Sequence, residues 1–186
     1  MFARVLRDSR ANWLSATSAP KRRKPRSREQ LLPLPAFVTK RLSMSHHNAL
    51  ALFRSGHGTL EHLAVLARAV YMSRLMQCAQ HPCGTDPVPF RAAGTVLHEC
   101  LMRAQGNENW QLYPYEVAQI APLLVRHDVQ LETWRAERYH GAWYQLVAAA
   151  EAGISPLADS KAPPAHSEFF ALLVSRLTED AGLSLA

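Results

Sequence analysis

The spacing of apolar residues between Leu60 and Gln80 constrains this chain more than any other feature. Leu60, Leu63, Ala64, Ala67, Val70, Tyr71 and Leu75 recur at intervals of three and four. That is the period of a helix with one face turned to a core. Thr59 stands where an N-cap is wanted and Glu61 falls in the first turn, where its charge meets the positive end of the helix dipole. Nowhere do β-branched residues alternate with a period of two over a useful length, so no sheet is expected.

The same reading extends in both directions. Ser45 is placed to cap a short helix reaching about Ser55, ended by Gly56-His57-Gly58 because glycine accepts the positive φ needed just past a helix. Residues 81–89 hold three prolines and a glycine and predict a loop. A third helix is expected over Phe90–Gln105, stopped by Gly106-Asn107. Pro114 suits the first turn of a fourth. Pro122 should kink or split it, since its ring crowds the preceding turn. Beyond Pro122 the apolar pattern continues through Trp134 and Gly141 to about Ala152. Residues 154–165 read as a loop, and Ser167 caps a last helix with Phe170, Leu173, Val174 and Leu177 on one side. The expected fold class is all-α, a bundle of about five helices with a disordered basic N-terminal arm. With 48% apolar residues and only 19% charged, the chain has enough to bury.

Charge divides the chain in two. Residues 1–41 carry eleven Lys/Arg and two acids, a net of +9, while residues 42–186 carry ten basic and thirteen acidic residues, a net of −3. We therefore divide it into a 1–41 arm and a 42–186 helical domain. Lys21, Arg22, Arg23, Lys24, Arg26 and Arg28 form a like-charged block broken by Pro25, with nothing apolar to bury. Such a block suits phosphate contact with DNA or RNA, each neutralised phosphate releasing a counterion. Next comes Leu31-Leu32-Pro33-Leu34-Pro35-Ala36-Phe37, where two prolines predict an extended stretch lying on the body through its leucines and Phe37. Met1–Pro20 is Arg-rich and nearly acid-free, loosely like an organellar transit peptide; a later start near Met44 is the blander reading. No run approaches 18 apolar residues, so no membrane span or membrane partner is expected. A reducing, cytoplasmic setting is expected, with Cys78, Cys83 and Cys100 as free thiols.

Chemistry-bearing patterns are sparse. Cys78, His81, Cys83, His98 and Cys100 are soft-ligand types at two ends of one loop, but Cys78 and Cys83 lack Cys-x-x-Cys spacing and Cys100 falls on an apolar face. Buried thiols are the simpler reading, and neither metal nor cofactor is expected. His46-His47, with His57 and His62, read as surface histidines at helix ends. His127-Asp128 and Glu132 resemble an acid–base cluster, yet adjacent helical residues point about 100° apart, and a Glu132–Arg135 surface pair explains the charges. Seven of the fifteen aromatics fall between Trp110 and Tyr144, with three Arg against four acids. That balance disfavours base stacking and favours core packing or a partner groove around Trp134 and Trp143. The Ser45–Gln80 helix pair has helix-turn-helix spacing, but its second helix opens Leu-Glu-His-Leu-Ala, too apolar to read base edges. No phosphate loop, nucleophile elbow or His-Glu-x-x-His occurs, so no enzyme is expected.

Pro33-Leu34-Pro35 followed by Asn48-Ala49-Leu50-Ala51-Leu52-Phe53-Arg54-Ser55-Gly56-His57-Gly58, and Leu123-Leu124-Val125-Arg126-His127-Asp128-Val129-Gln130-Leu131, resemble short, basic-tailed bacterial helical proteins. Some of these are grouped with Fis-type transcriptional regulators. The resemblance implies a bacterial, cytoplasmic setting. The last helix here is Phe/Leu-rich with Arg176 as its basic residue, unlike the DNA-binding helix pair of Fis proteins, so no site residue is carried over. The functional expectation is a non-enzymatic accessory or regulatory protein whose arm contacts nucleic acid. The alternative is a helical protein–protein interaction module, self-associating or binding a partner without nucleic acid.

Overall fold

The computed structural model describes residues 31–80, 87–152, 155 and 157. The basic block, His81, Cys83 and the expected last helix lie outside the described residues. The described part is all-α: α1 (Ala36–Arg54), α2 (Leu60–Gln80), α3 (Val88–Asn107), α4 (Pro114–Thr133) and α5 (Ala136–Glu151). Among the described residues no helix is long and apolar enough to cross a membrane.

Helix α2 is the axis of the bundle and packs against each of the other four. The sequence pattern marks one apolar face, but burial extends around the helix. Leu63, Leu66, Ala67 and Val70 are buried, and so are Ala69, Met72, Ser73 and Met76. A helix that is apolar all round belongs in the middle. Burying side chains the size of Leu66 or Met72 contributes about 2 kcal/mol each.

Helix α1 begins nine residues before the expected Ser45 cap, at Ala36, so the last six residues of the expected arm are helical. Pro35 explains the start. Proline cannot continue a helix N-terminal to itself, but its carbonyl accepts freely, here from Val38 and Thr39 N–H at 2.9 and 3.1 Å. Of the stretch expected to be extended, Leu31, Ala36 and Phe37 are helical; residues 32–35 between them are not, and they attach by backbone: Ala136 N–H donates to the Leu32 carbonyl at 2.7 Å and Pro33 bridges Arg135. Phe37 is 75% exposed and lies in solvent, not on the body. Helix α1 closes with a Schellman turn. His57 N–H donates to Leu52 O and Gly56 N–H to Phe53 O, with Gly56 at φ +77°. Gly58 is obligatory for a different reason: a Cβ there would stand 2.5 Å from the Phe53 ring.

Helix α3 opens at Val88, two residues earlier than expected, because Pro89 is tolerated in a first turn. It ends at Asn107, with Glu108 in the left-handed region at φ 58°. Pro122 does not end α4. Pro122 and Ala118, whose carbonyl loses its helical partner there, are both exposed, so the missing donor leaves no buried group unpaired at this turn. The interruption comes at Trp134 and Arg135, both extended, so the long helix expected beyond Pro122 is two helices, α4 and α5. Docking of Leu32–Pro33 supplies partners for this corner.

Candidate functional site

Helix α1 packs on α4, and the chemistry lies in that seam. The α1 stripe of His46, Ala49, Leu50 and Phe53 follows the helical period and is buried. His46 is therefore a core residue, 3% exposed, and not a surface histidine at a helix end. His47, one position on, sits at the rim with its side chain 43% exposed. Asp128 of α4 reaches between them: His46 Nε2 lies 2.9 Å from Oδ1 and His47 Nε2 2.7 Å from Oδ2. The His46 and His47 rings are 4.8 Å apart, and the buried His127 ring lies 5.7 Å from His46. Asp128 thus has its partners across the seam, an arrangement that the Glu132–Arg135 pair expected from the sequence does not account for.

Burial sets the electrostatics. It pushes the His46 imidazole down to about 4, against the opposing pull of Asp128. His127 is pushed to about 4, by burial first and by the neighbouring His46 second. Burial alone would raise the Asp128 carboxyl, but hydrogen bonds from His47 and Ser43 outweigh it and hold the group below its usual value. At neutral pH the seam therefore contains one carboxylate and two buried neutral imidazoles. His127 Nδ1 has no hydrogen-bond partner. Asp128 also lines a half-open groove of about 510 Å³ with Thr39, Lys40, Ser43 and Glu132.

A second buried polar cluster joins α3 to α4. Arg103 grips Glu116 with two hydrogen bonds of 2.7 and 2.9 Å, and its Nη2 also donates to Gln111 O at 3.0 Å. Tyr113 N–H donates to Glu116 Oε2 at 2.8 Å, capping α4. The Arg103 guanidinium lies over the Tyr113 ring at 5.0 Å. Three close donors converge on the Glu116 carboxylate, while the buried Arg103 Nε has no partner.

The expected site residues fall elsewhere. Cys100 is buried, its thiol pushed up to about 11 by burial, and Cys78 is half-buried. Among the described residues, the group with metal-ligand spacing is His46, His47 and Asp128, whose ligand atoms all lie within 4.8 Å of one another. Trp134 and Trp143 are half-buried against the core, with Arg138 over Trp134. The most exposed aromatic on α5 is Tyr144, at 73%. The spacing of His46 from Ala49, Leu50 and Phe53 is a signal that places it inward. No local signal points from Asp128 to a partner 82 residues away. Comparison with family models, with curated proteins and with solved structures finds no match for this chain.

Proposed function

We propose that this is a non-enzymatic accessory or regulatory protein whose helical body carries a basic arm that contacts nucleic acid. The observation that carries the reading is the division of charge, +9 over residues 1–41 against −3 over the rest. Several cations of the body are already engaged, which supports the arm as the contact. Arg103 is held by Glu116, Arg74 and Arg126 lie over Phe90, and Arg138 lies over Trp134. Phosphate contact takes closely spaced cations, and the Lys21–Arg28 block is the densest set in the chain.

The test is a salt titration of DNA and RNA binding by the full chain and by a full-length variant with Lys21, Arg22, Arg23, Lys24, Arg26 and Arg28 changed to Gln. Neutralising six phosphate contacts lowers the slope of log K against log salt by about 5, so the variant should bind weakly and with little salt dependence. Equal affinity for both proteins would reject the arm as the contact. The exposed Tyr144, on the same helix as Trp143, favours the second reading, a self-associating or partner-binding module. In that case solution mass exceeds the monomer at low and high ionic strength alike, and the glutamine variant retains it.

A further inference from the structure

The seam between α1 and α4 supplies ligands for an activity the charge division does not touch. His46 and His47 are neighbours on one helix, and their rings would ordinarily diverge. Here both bring Nε2 to one carboxylate, at 2.9 Å and 2.7 Å, one ring to each oxygen. Two ligands on adjacent positions of an ion at about 2.1 Å stand about 3.0–3.4 Å apart. The two Nε2-to-oxygen spacings are close to that but run to different oxygens, and the three ligand atoms spread over as much as 4.8 Å, so an ion would draw the rings together by about 1.4 Å. The two Nε2 protons now occupy the space between the rings and the carboxylate, and a cation can take their place when the rings shift to the Nδ1–H tautomer.

We propose that His46, His47 and Asp128 form a three-ligand site for a divalent transition ion of the Zn²⁺ class, with its remaining coordination position open to the adjoining groove. The donor set is two imidazole nitrogens and one carboxylate oxygen. This suits Zn²⁺ better than Mg²⁺ or Ca²⁺, which prefer oxygen throughout. Three protein ligands rather than four is the count that leaves room for a water or an exogenous ligand. Of the three ligands Asp128 lines the groove, with Ser43, Lys40 and Glu132, so the open position would be reached past its carboxylate. Ser43 already hydrogen-bonds Asp128 and orients its carboxylate, the support a ligating oxygen needs. His127 is buried beside His46, its ring 5.7 Å away and its Nδ1 unpartnered.

The test uses the full chain without an affinity tag, stripped with a chelator. Zn²⁺ is titrated against a chromophoric competitor, and Co²⁺ is added separately to read visible d–d absorption. One equivalent of Zn²⁺ should bind, with a Co²⁺ spectrum of low coordination number and a rise in Tm on adding Zn²⁺. His47→Ala and Asp128→Asn should each weaken Zn²⁺ binding at least about tenfold and abolish the rise. His47 lies at the rim, so its variant should fold, with unchanged helical circular dichroism. A chain with Cys78→Ser and Cys83→Ser should bind as the wild type does. Absence of Zn²⁺ binding by the wild type at 100-fold excess would overturn the proposal. So would equal binding by a folded His47→Ala chain, or loss of binding in the double serine variant. None of these outcomes bears on the arm, whose salt titration is performed with chelator present.

Discussion

Glu116 and Asp128 lie twelve residues apart on α4, and each is held by a side chain from another helix. Glu116 is fully buried and meets Arg103, a permanent cation with a planar fork that matches both carboxylate oxygens. Asp128 is partly exposed and meets two imidazoles, whose protons can leave. The first arrangement is a fixed joint between α3 and α4. The second is an exchangeable one between α1 and α4, with a groove beside it. A carboxylate on the same helix therefore serves stiffness at one end and ligand chemistry at the other, and the partner decides which.

The largest expected effect breaks the fixed joint. Glu116→Ala leaves Arg103 without its counter-charge beside the core and Tyr113 N–H without its acceptor. It should cost about 3 kcal/mol in urea unfolding at pH 7. A loss below about 1 kcal/mol would show that Arg103 simply swings into water.

Next is the pH response, which belongs to the exchangeable joint. His46 and His127 titrate near 4 when folded, against 6.5 when unfolded. Between those values the unfolded chain binds more protons, so stability falls as pH drops from about 6.5 toward 4. With chelator present, either ring accounts for about 3 kcal/mol across that window. Asp128, held low, acts in the same direction below its unfolded value. His127→Leu removes one titrating ring and its unpartnered nitrogen, and should flatten the slope at little cost at pH 7. A slope that His127→Leu leaves unchanged would place the titration elsewhere.

The smallest effect gauges closure. Cys100 lies near Arg103 and Glu116, and burial pushes its thiol up to about 11. In a Cys83→Ser chain at pH 8, Cys78 should react with a disulfide reagent at least tenfold faster than Cys100. Equal rates would mean that the fixed joint opens readily to solvent.

Helix existence is legible wherever the 3.6 period is strong, as in α2, and the Schellman turn is legible from Gly56. What escapes the sequence is non-local. The Pro122 ring faces water and is harmless, while the break at Trp134 is fixed by the Leu32 carbonyl, about a hundred residues upstream. Ser45 has the chemistry of a cap and so points to a late start for α1, although Pro35 marks the true one. For the site, the inward position of His46 follows from its spacing on α1. The convergence of His47 and Asp128 depends on how α1 docks against α4, which no local pattern encodes.

The Leu32–Ala136 hydrogen bond has one more consequence. It fixes a mooring point at the corner between α4 and α5. Arg28 is four residues from that point and Lys21 eleven. Covalent geometry therefore confines every cation of the block to a radius of about 40 Å from the corner, whatever course the intervening chain takes. A phosphate that the block held would thus lie within about 40 Å of that corner, two residues along the chain from Leu34, which helps to line the groove.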